Sequence, residues 1–326
     1  MNRMKILKRI TAVLLAFLLV FSFAACNDNG NQADESTTSY EREAKTRIAE
    51  FSGISSLGIS KLKADRGYAY SVTSHTDLQE IETLLKNGET DLAAVPVEFA
   101  AKLFNDTKGG VKIIAINSLG SIYLVSKDES IKGLADIGSK TVYASGKGTA
   151  SEYVINYIFG KNNINPNVEY VATDAELAAL AIEGKADICI LSEPMATKVV
   201  MGNAEMKRAV DFAEEWKKAS GSGQAQSVIV ARTEYIEKNS EYIEQFLMHN
   251  EISINFFGEY IEVGAKMLTE LKYFSTIDNA RECLPYCKLY FIRGEEMKPL
   301  VQSVCDALPA EMTGGTVNAD GICFVQ

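Results

Sequence analysis

The sequence predicts an α/β fold of two lobes, each a sheet flanked by helices, joined by two hinge crossings. Three features predict it. Short apolar runs alternate with helical periodicities from Arg47 onward, the alternation occurs in two sets, and extended segments stand where one set gives way to the other. Ile48 to Phe51 is the first expected strand, closed by Ser52-Gly53-Ile54-Ser55-Ser56 and followed by a helix through Leu57 and Leu62. Tyr68, Tyr70 and Val72 alternate as strand residues do. Leu78, Ile81, Leu84 and Leu85 then recur at helical spacing up to a stop at Gly88. Asp91 to Val95 is a strand broken by Pro96, a helix surrounds Phe99 and Leu103, and Val111 to Ile116 is a fourth strand. This repeated strand–helix order implies a parallel sheet covered on both faces.

The second set runs through a strand at Thr141 to Ala144, a helix carrying Tyr153, Val154, Tyr157 and Ile158, and a strand at Val168 to Val171. A helix at Leu177 and Leu180 and a strand at Asp187 to Leu191 complete it. Ile122 to Val125 and Ser227 to Ala231 are the expected crossings. From Thr233 the pattern is mostly helical, with Leu289 and Phe291 in a short extended piece, and this third is expected to return to the first lobe.

With 326 residues, 47% hydrophobic and 23% charged, the chain has ordinary globular composition and room for two lobes. Its net charge of −10 argues against nucleic-acid binding, which needs a basic surface. At the start, Arg3, Lys5, Lys8 and Arg9 flank an apolar run from Ile10 to Phe23. That run falls short of the roughly 20 residues a spanning helix needs, and residues 1–25 read as a secretion signal. Residues 26–42, polar and turn-rich from Asn27 to Thr38, read as a flexible tether. Cys189 lies in an apolar strand pattern and is expected in the core. Cys283 and Cys287 are spaced to share a helical face, although Pro285 between them opposes a regular helix. The cysteines after Cys26 are odd in number, which leaves a disulfide open, and no histidine stands near them; no metal and no cofactor are expected.

Phe23-Ala24-Ala25-Cys26 resembles the lipobox of bacterial lipoproteins, with phenylalanine where leucine is usual, and implies a lipid on Cys26. A wider resemblance is carried by GETDLAAVPVEFAAKLFN (88–105), AINSLGSIYLV (115–125), LADIGSKTVYASGKGTASEYVINYI (134–158), ADICILSEP (186–194) and LPYCKLYFIRGEEMK (284–298). In these blocks and their order the chain resembles the extracytoplasmic solute-binding proteins of ABC importers, most of all the thiamine-pyrimidine, sulfonate, taurine and nitrate binders. The resemblance implies the two-lobed type II periplasmic-binding fold, with residues 43–118 and 233–326 in one lobe and 119–232 in the other. It also implies a small-molecule ligand, a permease with its ATPase as partners, and a membrane contact through the N-terminal lipid. Some relatives on this fold are enzymes of pyrimidine synthesis or the menaquinone pathway, and a ligand sensor for a membrane receptor is a third possibility. The cysteine-dense motif of the pyrimidine synthases is missing here, and His75 and His249 are the chain's two histidines.

Ligands of open α/β sheets bind beyond the carboxyl ends of the strands. That rule nominates Ser55, Ser56, Ser74, His75 and Val97 in the first lobe and Asn117 at the hinge. In the second lobe it nominates Gly148, Thr149 and Ala150, from the loop Ser145 to Ser151, together with Thr173 and Glu193. The glycines of that loop would let backbone amides approach an electron-rich group, although a plain turn with a capped helix accounts for them as well. Glu193 would favour a guest bearing an amine and oppose a bare sulfonate. Phe51, Tyr68, Tyr70 and Tyr153 are available for stacking, although strand or helix periodicity accounts for most of them as core; Trp216 is expected on the lobe surface among charged neighbours, and His249 is expected exposed on a long helix.

Overall fold

The computed structural model describes residues 45–325; the expected signal, tether and Cys26 lie outside the described residues. In chain order the first strands are β1 (Thr46–Phe51), β2 (Tyr70–His75), β3 (Leu92–Pro96), β4 (Val111–Leu119) and β5 (Ile122–Ser126). They are followed by β6 (Thr141–Ala144), β7 (Asn167–Tyr170), β8 (Ile188–Ser192), β9 (Lys207–Asp211), β10 (Ala225–Arg232) and β11 (Leu289–Ile292). One sheet has the order β11-β4-β10-β3-β1-β2 and the other β7-β6-β8-β5-β9. In β3, Leu92, Ala93, Ala94 and Val95 are all fully buried, which is why this strand shows an unbroken apolar run and no alternation.

Both sheets are mixed, where a parallel arrangement was expected. β1 runs parallel to β2 and β3, and β6 parallel to β7 and β8. β10 is antiparallel to β3 and β4, β11 to β4, and β5 to β8 and β9. The reason is where the chain changes sheet. It leaves the first sheet at Leu119 and enters the second at Ile122, so β5 begins at the end where β8 stops, with Ile122 opposite Ser192. On the return, β10 likewise begins beside the end of β3, with Ser227 opposite Pro96. β10 thus belongs to the first sheet, although its residues fall in the range 119–232 expected for the second lobe. The two passages are bonded to each other: Gly120 N donates to the Gln224 carbonyl (3.0 Å) and Ser121 Oγ to Gln226 Oε1 (2.8 Å).

Most helices sit where periodicity placed them. Leu78–Lys86 is capped by Asp77, buries Ile81 and Leu85, and gives way to Gly88 in the left-handed region at φ 69°. The expected helix through Leu57 and Leu62 is instead two pieces, Ile54–Leu57 and Ser60–Asp65. A side chain at Gly58, between them, would place its Cβ 1.9 Å from Asn117 Oδ1. The C-terminal third does return to the first sheet: β11 pairs with β4, and Phe324 N donates to the Ile113 carbonyl (2.8 Å). Its helix Met297–Ala307 also packs on Ala150–Lys161 of the second sheet's layer. A single large apolar cluster accordingly holds residues from both sheets.

Two expectations of exposure fail. His249 is buried, bonded through Nδ1 to Tyr70 Oη (2.8 Å), and burial lowers its pKa. Trp216 is fully buried, its ring 4.8 Å from that of Tyr157. The charged residues beside it in sequence occupy the opposite face of helix Phe212–Ser220, while Phe212 and Trp216, four apart, share the inward face. Trp216→Ala is expected to cost about 3–5 kcal/mol in urea unfolding. Trp216→Phe should cost far less, because Nε1 has no hydrogen-bond partner to lose.

Candidate functional site

The carboxyl ends of the first sheet's strands and those of the second border a shared cleft of about 360 Å³. That volume lies in the range of small-molecule sites. From the first side come Phe51, Ser52, Ile54 and Ser55 at and beyond the end of β1, and Pro96, Val97 and Glu98 at and beyond the end of β3. The second side supplies Ala150, Ser151, Asp174, Ser192 and Glu193; Gln224 and Gln226 line it from the return passage. A side cavity of about 240 Å³ shares Ile122, Ser151, Asp174 and Ser192 with it and extends under Ser145 and Thr173. A larger, open concavity of about 1130 Å³ lies at the far ends of the second sheet. Its lysines are matched in place, Lys127 to Asp187, Lys140 to Asp128, Lys185 to Glu183 and Lys207 to Glu129, so it offers little uncompensated positive charge.

Of the residues nominated from sequence, Ser55, Val97, Ala150 and Glu193 line the cleft. The others do not, and each has local work. Ser56 Oγ donates to the Gly53 carbonyl (2.7 Å). Ser74 Oγ donates to the buried Glu50 carboxylate, whose same oxygen accepts from Tyr273 Oη (2.6 Å) and Lys63 Nζ (3.2 Å). His75 is held between Thr73 Oγ1 (2.9 Å) and Glu80 (3.0 Å). Asn117 Nδ2 donates to the Ser55 carbonyl (2.7 Å), so it positions a lining residue without being one. In the glycine loop, Gly148 N donates to Glu152 (2.6 Å) and Thr149 Oγ1 to the Gly146 carbonyl (2.6 Å). Both residues are exposed, and the loop spends its polar groups on its own turn. Among the aromatic candidates Phe51 lines the cleft, whereas Tyr68 is exposed and Tyr70 is buried in the core.

Several lining residues escaped the sequence reading, among them Glu98, Asp174 and Gln224. Glu98 stands in the first turn of helix Val97–Asp106, partly buried, with no hydrogen-bond or ion-pair partner among the described residues beyond its own backbone. Burial pushes its carboxyl up to about 7. Asp174 opens helix Asp174–Ile182 and accepts from Ser145 Oγ through one carboxylate oxygen. Gln224 is 6% exposed and its Oε1 has no partner. The strand-end rule reached Val97 and Thr173, each one residue short. The signal that would have found Glu98 and Asp174 is that a first helical turn at a strand end faces the same crevice as the loop before it.

A family described as NMT1/THI5 like matches residues 65–257, more than half of the chain. The chain belongs to the NMT1/THI5-like family. Among solved structures, an ABC transporter from Parabacteroides distasonis superposes with a TM-score of 0.72 at 19% identity, over 86% of this chain and 98% of that one. The periplasmic aliphatic sulphonate binding protein SsuA from Escherichia coli superposes at 0.69 with 16% identity, over 86% and 92%. For the alkanesulfonate-binding protein SsuA from Xanthomonas axonopodis pv. citri, bound to MOPS, the values are 0.58 and 12%, over 85% and 95%. At these identities the likeness is one of fold: two sheets flanked by helices, the periplasmic-binding architecture. No curated protein matches the sequence.

In this NMT1/THI5-like chain the Glu193 carboxylate is not open to a guest, contrary to the role expected of it. Its Oε1 accepts from Arg208 Nε (3.1 Å) and Nη2 (2.6 Å), and its Oε2 from the Thr197 amide (3.1 Å) in the first turn of helix Met195–Gly202. The guanidinium lies 3.6 Å from the centre of the Tyr286 ring. Cys283 Sγ approaches Glu193 Oε2 at 3.5 Å and Cys287 Sγ at 3.3 Å; both thiols are free and buried, and the Cys287 contact, then burial, pushes the Cys283 thiol up. The side chain of Glu193 has no exposed area, so its charge depends on this pairing. Arg208→Met is therefore expected to destabilise the fold by about 3–5 kcal/mol in chemical denaturation, and Glu193→Gln in the same chain to recover most of it. Simple additivity of the two losses would show that the pair is not coupled.

Proposed function

We propose that this protein is the extracytoplasmic solute-binding component of an ABC importer, holding a small molecule between two lobes and delivering it to the permease and its ATPase. The observation that carries the reading is the cleft itself: a cavity of small-molecule size, walled by strand ends of both sheets and floored by the tied passages between them. Residues 45–118 with the part from β10 onward form one lobe and the intervening residues the other. A thiamine-pyrimidine-like compound, a sulfonate or a solute of similar size bridges them through Ser55, Val97, Ala150 and the backbone around Glu193. Binding both lobes at once favours their approach, and the importer reads that closed state. The reading of a binder and not an enzyme is supported by the solved structures of the same fold, the sulphonate-binding SsuA proteins among them. A lipid on Cys26 would hold the protein at the outer membrane surface, and the polar stretch after it would give the lobes reach.

Thermal unfolding against pyrimidines, sulfonates, nitrate and amino acids tests the site. A ligand at 100 times its Kd should add about 2.7 kcal/mol, and Ala150→Trp, which fills the cleft, should remove the gain. Stabilisation that survives Ala150→Trp would place binding elsewhere and refute the cleft. For the anchor, radiolabelled fatty acid should mark the wild-type chain and leave Cys26→Ala unmarked; equal labelling of the two would exclude Cys26 as the attachment point.

A further inference from the structure

We infer that the guest of this cleft is a cation, or a molecule that presents a protonated nitrogen, and that Glu98 and Asp174 recognise its charge from opposite walls. The inference rests on the solute-binding reading above and narrows it to a substrate class. Three observations converge. Glu98 lines the cleft and is the lining carboxylate with no partner among the described residues, whereas Glu193 is neutralised by Arg208. A partly buried carboxylate without a partner is costly, and a cationic guest would supply what the fold withholds. Asp174, on the other side, has one oxygen engaged by Ser145 and the other without a bond. Gln224, 6% exposed, lines the same cleft but offers it no acceptor, since its Oε1 is fully covered and packed against Gly120.

The third observation concerns what faces them. Among the described residues no lysine, arginine or histidine lines the cleft or its side cavity. The serine hydroxyls there serve donors and acceptors alike and do not decide the sign. A sulfonate or nitrate would meet the Asp174 carboxylate and the Glu98 carboxyl, and no charged side chain of opposite sign, only helix N-termini. A guest with an amine, amidine or protonated heteroaromatic nitrogen would complete the unmet acceptors, with the Phe51 ring as the aromatic surface of the cleft. The ligand class therefore differs from the one printed for the sulphonate-binding relatives, even though the fold is shared.

Isothermal titration of the full chain with agmatine, choline and an aminomethylpyrimidine, against methanesulfonate and nitrate, tests the inference. At least one cation should bind, and Glu98→Gln and Asp174→Asn should each weaken it by about tenfold or more, while Glu98→Asp retains part of the affinity. Circular dichroism melts of each variant confirm that it is folded before it is titrated. Binding of a sulfonate or nitrate that Ala150→Trp abolishes would overturn the charge assignment and leave the solute-binding reading standing. Cation affinity unchanged in both carboxylate variants would likewise refute the charge assignment. No binding by any member of the panel would count against both readings.

Discussion

The geometry of the whole molecule depends on the place where the chain changes sheets. Both passages occur at the carboxyl ends of the neighbouring strands, so β5 and β10 start there and must run antiparallel to what they join. The backbone bond from Gly120 to Gln224 fixes these passages side by side. The strand ends of two sheets are thereby turned toward one another, and the loops that follow β1, β3, β6 and β8 converge on a common space. A third segment supports the same point, since Leu119 N donates to the Lys288 carbonyl (2.9 Å) just before β11.

Charge pairing then decides what that space can do. Glu50, Glu193 and Glu98 are three carboxylates near strand ends, and their local sequences give no hint that they differ. Glu50 is held by a lysine, a serine and a tyrosine, and Glu193 by an arginine and a helix amide. Both are structural pieces paired within the protein, although Glu50 takes all three partners on Oε1 and leaves the buried Oε2 without one. Glu98 has no such partner, so the cleft's electrostatic character comes from it and from Asp174. The free thiols of Cys283 and Cys287 lie behind Glu193, packed with Arg208 and Tyr286, and so belong to the wall of the cleft and not to its lining.

Much of this was legible along the chain. Periodicity found the buried strands, including β3 and β8, because a strand covered on both faces must be apolar throughout. It found Leu78–Lys86 and its stop at Gly88 because capping and left-handed backbone leave local marks. β9 and the helix holding Trp216 were harder to read, since alternating charges mask an apolar pair spaced one turn apart.

The sequence by itself determined the α/β alternation, the two sets of strands and helices, and the loops that could approach a ligand, because these follow from local spacing and turn chemistry. Only the tertiary structure decided the direction of β5 and β10, the burial of Trp216 and His249, and the fate of each carboxylate. Glu193 meets Arg208 fifteen residues away, and Glu50 meets Tyr273 more than two hundred residues away. Whether a charge is spent or available is a property of such distant contacts, and no local pattern encodes it.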